Sequence, residues 1–334
     1  MSMTSLKNVK IKQGEKIMSS KTKIFIDGSE GTTGLRIFER FEGRDDIELM
    51  PIASELRKDI KERKRLINES DITFLCLPDA AAKESVSLVE NEKVKIIDTS
   101  TAHRTQEGWA YGFPELSDAH RQAIATGKRI AVPGCYATGF ISLVYPMVIE
   151  GILPNDYPVS SFGLSGYSGG GKKMIAAYEG EDRPAELDAP REYALSQAHK
   201  HLKEMKKIPG LVREPLFSPI VSDYYSGMVV SVPLYTEFFR KAKTPEEVHA
   251  VLSEFYKNKK FIQIMPLGVE AESGNMLAGN ACSGWDGLRI FVTGNTDRIV
   301  LSSQFDNLGK GASGAAIQCL NIALGCEEDK GLHL

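Results

Sequence analysis

The run KIFIDGSEGTTGLRIFERF, residues 23–41, decides the fold. It opens as a short apolar strand and closes with the apolar and charged periodicity of a helix, and Gly28, Gly31 and Gly34 stand between at GxxGxxG spacing. A strand that passes through glycines into a helix forms a dinucleotide-binding corner. The glycines let the backbone approach a pyrophosphate, which then sits at the positive end of the helix. Gly28, Ser29, Glu30, Gly31, Thr32, Thr33 and Gly34 are therefore candidate cofactor contacts. A tight turn without a ligand is the alternative, and the strand–turn–helix setting favours nucleotide binding.

Outward from this corner, IELMPIA, KERKRLINE, ITFLCLP, AKESVSLVE, VKIIDTS and RIAVPG alternate short strands with helix-length segments up to residue 134. That alternation predicts βαβ units and a parallel sheet. Beyond Gly151 the strands lengthen (VSSFGLSGYS, PIVSDYYSGMVVSVPLY, FIQIMPL, LRIFVTGN, RIVLSSQF) and helices thin out. The clearest helix there is TPEEVHAVLSEFYKN, with Thr244 as its cap and Pro245 in its first turn. The small-residue run GASGAAIQCLNIALG forms a last helix suited to pack back on the first half.

The expected class is thus α/β: a Rossmann-type doubly wound parallel sheet plus an α+β domain on a mostly antiparallel sheet. The expected boundaries are a lysine-rich N-terminal extension at 1–20, a dinucleotide-binding domain at 21–134 completed by 308–330, and a catalytic, substrate and oligomerisation domain at 135–307.

Composition narrows the function. Among 334 residues, 41 basic side chains are scattered among 44 acidic ones, which leaves no one-sided positive field for nucleic acid. The longest apolar stretch, from Phe140, is broken by Pro146 and Glu150 and falls short of the ~20 residues a bilayer span needs. Cys76, Cys135, Cys282, Cys319 and Cys326 are dispersed, with no CxxC pair, against a disulfide framework or a zinc cage. These features predict a cytoplasmic enzyme of small molecules that uses no metal.

After the second strand, Ser54, Arg57 and Lys58 are placed to hold a 2′-phosphate, favouring NADPH/NADP, while Glu55 keeps NADH open. Loops LPDA (77–80) and DTSTAHR (98–104) follow later parallel strands, at the edge where such sheets bind ligands. They add Pro78 and Ser100 as cofactor contacts and Arg104 as an anion clamp, its fixed fork of donors being suited to phosphate. His103 reads as a surface or supporting residue.

In AVPGCYATG, Cys135 lies between the end of a strand and an apolar helix. A thiol at a helix N-terminus is expected to have a pKa below ~8.5 and to stand near N–H groups able to hold an oxyanion. A buried, inert thiol is the simpler alternative, and it is the reading adopted for Cys76, Cys319 and Cys326.

IAVPGCYATG, GSEGTTG and DNLGKGASGAA together resemble the N-acetyl-gamma-glutamyl-phosphate reductase family, over Lys23 to about Gly325, in spacing most like its shorter bacterial subgroup. Leu143 departs from the pattern, standing where family members usually have a small residue. The resemblance implies that Cys135 is the nucleophile. HKHLKE resembles the family's HRHxxE segment, which implies His199 as acid and base, with Tyr193, His201 and Glu204 near the substrate. GLSGYSGGGKK resembles the substrate loop and implies Ser165, Tyr167 and Ser168 as contacts. Asn307, Gly309 and Lys310 match the segment that faces the nicotinamide.

The implied reaction is NADPH-dependent reduction of N-acetyl-L-glutamyl 5-phosphate, through a Cys135 thioester, to the 5-semialdehyde and phosphate in arginine biosynthesis. A homo-oligomer, dimer or tetramer, is implied as well. Rival readings are an aspartate- or aminoadipate-semialdehyde dehydrogenase, a non-catalytic NADP-binding regulator, and a cysteine hydrolase, which leaves GSEGTTG unexplained.

Overall fold

The computed structural model describes residues 21–334; the proposed extension at 1–20 lies outside the described residues, as does the Thr32 side chain. Strands β1 (Thr22–Asp27), β2 (Ile47–Met50), β3 (Ile72–Leu75), β4 (Lys95–Asp98), β5 (Ala110–Tyr111) and β6 (Arg129–Ala131) form one sheet. Its order is β2-β1-β3-β4-β6-β5, and every pairing is parallel. Helices α1 (Thr32–Glu39), α2 (Ile60–Glu69), α3 (Asp79–Ser87) and α4 (Asp118–Thr126) lie between its strands in sequence. The chain steps from β1 to β2 on one side and then to β3 on the other, so a crevice opens above β1 and β3.

The next helix, α5 (Cys135–Ile149), leads into a second sheet of β7 (Ser160–Gly166), β8 (Arg191–Glu192), β9 (Leu216–Ser222), β10 (Met228–Tyr235), β11 (Ile262–Ile264), β12 (Leu288–Gly294) and β13 (Arg298–Phe305). Its order is β11-β12-β13-β10-β7-β9-β8, with four antiparallel and two parallel pairings. The long run from Pro219 divides into β9 and β10, because the chain reverses at Gly227, whose φ of 104° favours glycine. Three helices join this half: α6 (Gly171–Glu179), α7 (Leu202–Lys207) and α8 (Pro245–Phe255). At α8, Thr244 and Glu247 make the reciprocal bonds of a capping box.

α5 is apolar all round because it is buried all round. Gly139 lies so close to β10 and β13 that a Cβ would stand 2.6 Å from Val230 Cγ2 and 2.7 Å from Ser303 Oγ. Leu143 is fully buried and belongs to the same core, so the departure from the family pattern is accommodated. Pro146 has no N–H for the Ser142 carbonyl, and the Tyr256 hydroxyl donates to that carbonyl instead at 2.8 Å.

After β13 a π-turn, Gly309–Ser313, precedes α9 (Gly314–Leu324), so the regular helix begins later than the sequence run suggests. Ala315, Ala316, Ile317 and Leu320 of α9 pack with Ile24, Phe74, Ile97 and Ile130 of the first sheet.

Candidate active site

At the crevice, Gly28 has φ +90°, and a Cβ there would stand 2.4 Å from the Cys76 carbonyl oxygen. Gly34 has no more room, since its Cβ would meet the Gly28 carbonyl at 2.4 Å. Bare backbone is thus required where α1 begins, with Gly31 as its N-cap. Gly28, Ser29, Glu30, Gly31, Arg57 and Lys58 border a cleft of about 550 Å³ that a dinucleotide's ribose and phosphates fit. Beside it Glu30 pairs with Arg57 and accepts the Ser54 hydroxyl at 3.4 Å, so the Ser54–Arg57 corner already takes an anionic group. Pro78 is the N-cap of α3, next to Leu77 on the cleft wall.

The loop after β4 is fixed by Asp98, a fully buried carboxylate. It accepts His103 Nδ1 at 2.6 Å and Ser100 Oγ at 2.7 Å, which ties Ser100 inward. His103 is buried and stacks on Trp109, 4.1 Å between centroids. It is a supporting residue, not a surface one. This frame delivers Arg104, whose Nε donates to Val132 O (2.8 Å), Nη2 to Thr99 O (2.9 Å) and Nη1 to Glu204 Oε1 (2.8 Å). A guanidinium has five N–H donors, so two remain for a ligand.

Where the two sheets meet, Cys135 is the first residue of α5, with Gly134 as N-cap. It borders a cavity of about 340 Å³ with Arg104, His199, Lys200, His201, Tyr136, Tyr193, Ser165, Ser168, Asn307, Gly311 and Thr33. Gly134 is obligatory here. A Cβ would stand 2.3 Å from His201 Nε2 and 2.5 Å from Arg104 Nη1.

The expected lowering of the thiol pKa is not what this setting produces. Burial pushes the Cys135 thiol up; the Tyr136 N–H, Arg104 and Lys200 pull it back, and Glu204 raises it further. His199 Nδ1 accepts the His201 N–H at 3.2 Å, and burial, with Lys200 and Arg104 nearby, lowers its pKa to about 4. His201 is held well below the ordinary value, first by burial and then by Arg104. Both rings are neutral at neutral pH. With Nδ1 accepting, His199 carries its proton on Nε2.

Residues 23–125 match the family model for the semialdehyde dehydrogenase NAD binding domain, and residues 135–307 that for the semialdehyde dehydrogenase dimerisation domain. N-acetyl-gamma-glutamyl-phosphate reductase 2 of Nostoc sp. is 46% identical, covering 94% of this chain and all of the relative. N-acetyl-gamma-glutamyl-phosphate reductases of Rhizobium meliloti (44%; 91% of this chain, 99% of the relative) and Burkholderia cenocepacia (43%; 90% and 97%) are similar to it as well. The chain belongs to the N-acetyl-gamma-glutamyl-phosphate reductase family. Its fold is shared by aspartate semialdehyde dehydrogenase II of Vibrio cholerae, complexed with ASA (TM-score 0.70, 16% identity; 92% of this chain, 99% of that chain). It is shared too by aspartate semialdehyde dehydrogenase with NADP from Candida albicans (TM-score 0.60, 16% identity; 91% and 98%).

Within this family member, several residues singled out in the sequence stand away from the cavity. Glu204 lies behind it, accepting Arg104, the Tyr111 hydroxyl (2.7 Å) and the Gly134 N–H (3.2 Å), and positions these groups without bordering the space. Tyr167 turns outward, stacked on Tyr178 and donating to Glu179. Gly309 packs on Trp285. Lys310 is neither a nicotinamide contact nor a surface charge: it is 1% exposed and donates to Glu115 (2.7 Å) and Gln318 (2.5 Å) between the rings of Phe113 and Phe261. Asn307 does border the cavity, with its Oδ1 on the Gly227 N–H and its Nδ2 on Ser168 Oγ.

Several residues that border the cavity carry no site role in the sequence reading, among them Tyr136, Lys200 and Gly311, whose Cβ would stand 2.9 Å from Cys135 Cβ. Tyr136 and Lys200 sit inside the quoted motifs PGCYATG and HKHLKE, where spacing alone does not tell which way a side chain faces.

Proposed function

We propose that this chain reduces N-acetyl-L-glutamyl 5-phosphate to N-acetyl-L-glutamate 5-semialdehyde with NADPH, in arginine biosynthesis. The observation that carries the reading is Cys135 at the head of α5, in one cavity with the two remaining N–H donors of Arg104 and neutral His199. The relatives' names supply the acyl group.

Cys135 sulfur attacks the acyl carbon and phosphate leaves, taking up the thiol proton, while the two free N–H donors of Arg104 offset its charge. The product on the enzyme is a thioester. NADPH, when bound, supplies the hydride that reduces it. His199 presents Nε2–H as a neutral donor to the oxygen that gains charge, which lets the oxyanion form and then collapse to the aldehyde and the Cys135 thiolate. This is a narrower role than general acid and base. Gly28, Gly31 and Gly34 would hold the pyrophosphate, with Ser54, Arg57 and Lys58 on the 2′-phosphate.

The chain works as a homo-oligomer through its second sheet. Phe162 (41% exposed) and Leu216 (67% exposed) stand on the face of β7 and β9 turned away from α5, and the matched dimerisation domain covers these strands. No helix among the described residues is long and apolar enough to cross a membrane. The reverse assay, with phosphate and NADP on N-acetylglutamate semialdehyde and aspartate semialdehyde side by side, tests the substrate. Equal rates, or preference for the aspartyl compound, would overturn it.

A further inference from the structure

The cavity around Cys135 is lined by two chemically different sets of side chains. One carries the cations Arg104 and Lys200. The other is neutral and built of Tyr136, Tyr193, Ser165, Ser168 and Met174. Among the described residues no aspartate or glutamate borders it, and Glu204, packed behind Arg104, is already engaged by Arg104, Tyr111 and the Gly134 N–H.

Among these neutral groups, one fully buried hydroxyl makes no hydrogen bond of ordinary length. Ser165 donates to the Gly166 carbonyl (3.1 Å), and Ser168 accepts Asn307 Nδ2 (3.0 Å). Tyr136, 3% exposed, has a buried hydroxyl that makes no hydrogen bond of ordinary length, with the Tyr193 and Ser165 hydroxyls as its polar neighbours. Its ring is firmly held. It packs edge-on to Phe217 (5.1 Å) and His199 (5.8 Å), and Gly163 makes space for it, since a Cβ there would stand 2.7 Å from Tyr136 Cε1. A buried donor without a partner is costly, and a fold keeps one where the partner arrives with a ligand.

We propose that the Tyr136 hydroxyl is a specificity-determining donor to the N-acyl carbonyl oxygen of the substrate, and that a cavity with cations but no carboxylate rejects substrates carrying a free ammonium. A neutral phenol suits a neutral amide carbonyl, whereas phosphate and carboxylate groups are met by Arg104 and Lys200. An α-ammonium placed here would face two like charges and find no counter-ion. Tyr136 directly follows the nucleophile in sequence and borders the same cavity as the thiol. That suits a substrate whose acylamino group lies a few carbons from the reacting one.

The inference rests on the proposed function, and its test separates the two. Rates of the reverse reaction are measured for N-acetylglutamate semialdehyde, for glutarate semialdehyde, which lacks the acylamino group, and for aspartate semialdehyde, which carries an ammonium. Wild type, Tyr136→Phe and Gly163→Ala, which displaces the same ring, are compared. The expected result is that the ratio of kcat/KM for the N-acetyl compound over glutarate semialdehyde falls about tenfold in Y136F, the change expected of one neutral hydrogen bond. G163A should lower the ratio in the same direction. Aspartate semialdehyde should be the poorest substrate throughout. Because Y136F removes an unpaired group, its melting temperature should hold or rise. A parallel fall on both substrates, or an unchanged ratio, would overturn the role of Tyr136, and efficient use of aspartate semialdehyde would overturn the ammonium exclusion. A wild-type chain inactive on N-acetylglutamate semialdehyde would overturn the proposed function itself.

Discussion

Glu204 Oε1 accepts Arg104 Nη1 at 2.8 Å, joining residues a hundred positions apart in a pair where both side chains are buried. Its other oxygen accepts the Gly134 N–H, next to Cys135. One carboxylate thereby fixes Arg104 against the head of α5.

Removing that carboxylate leaves the Arg104 charge buried and unpaired. Glu204→Ala should cost roughly 3–5 kcal/mol of folding stability, read from urea unfolding. Glu204→Gln should cost less and, by removing a negative charge that raises the Cys135 thiol, move its alkylation profile to lower pH. A profile unmoved in E204Q would contradict this electrostatic account.

The raised thiol makes its own prediction. Iodoacetamide labelling of Cys135, followed by peptide mapping, should accelerate with pH through 8 and beyond, because only the thiolate reacts and burial delays its formation. A rate plateau below pH 8 would show that the helix N-terminus wins after all. Cys135→Ser should lower kcat by at least about a thousandfold.

His199 is neutral down to about pH 4. The step it serves should therefore show no titration between pH 5 and 7, and His199→Ala should lower kcat by roughly 10²–10³, as for loss of one oxyanion donor. The sign for folding is equally definite. A histidine depressed from 6.5 to about 4 contributes stability that is complete above pH 6.5 and fades as pH falls through 4. An acid limb near pH 6.5 in kcat that vanishes in H199A would count against the neutral-donor role.

At the cofactor corner, Arg57→Ala should raise the Kd of NADPH by about 10–100-fold, the scale of a charged hydrogen bond, and that of NADH by less than threefold. Fluorescence titration of both reduced nucleotides measures it. Equal losses would assign Arg57 to the shared pyrophosphate instead.

Much of the molecule was legible in its sequence because local rules govern it. KIFIDGSEGTTGLRIFERF gives a strand, a turn and a helix through near-neighbour sterics and periodicity alone, and TPEEVHAVLSEFYKN carries its own cap. The same rules place Cys135 at the head of α5. Tertiary structure decided the environments. Lys310 reads as a charge near the nicotinamide, yet its direction depends on Glu115 and Gln318, which no spacing brings near it. Tyr167 and Tyr136 both sit in family-like segments, and only packing turns the first outward and the second into the cavity. The thiol pKa is the sharpest case. Sequence supplies the helix terminus, but burial sums over atoms from distant segments and, in this fold, outweighs the Tyr136 N–H, Arg104 and Lys200 together.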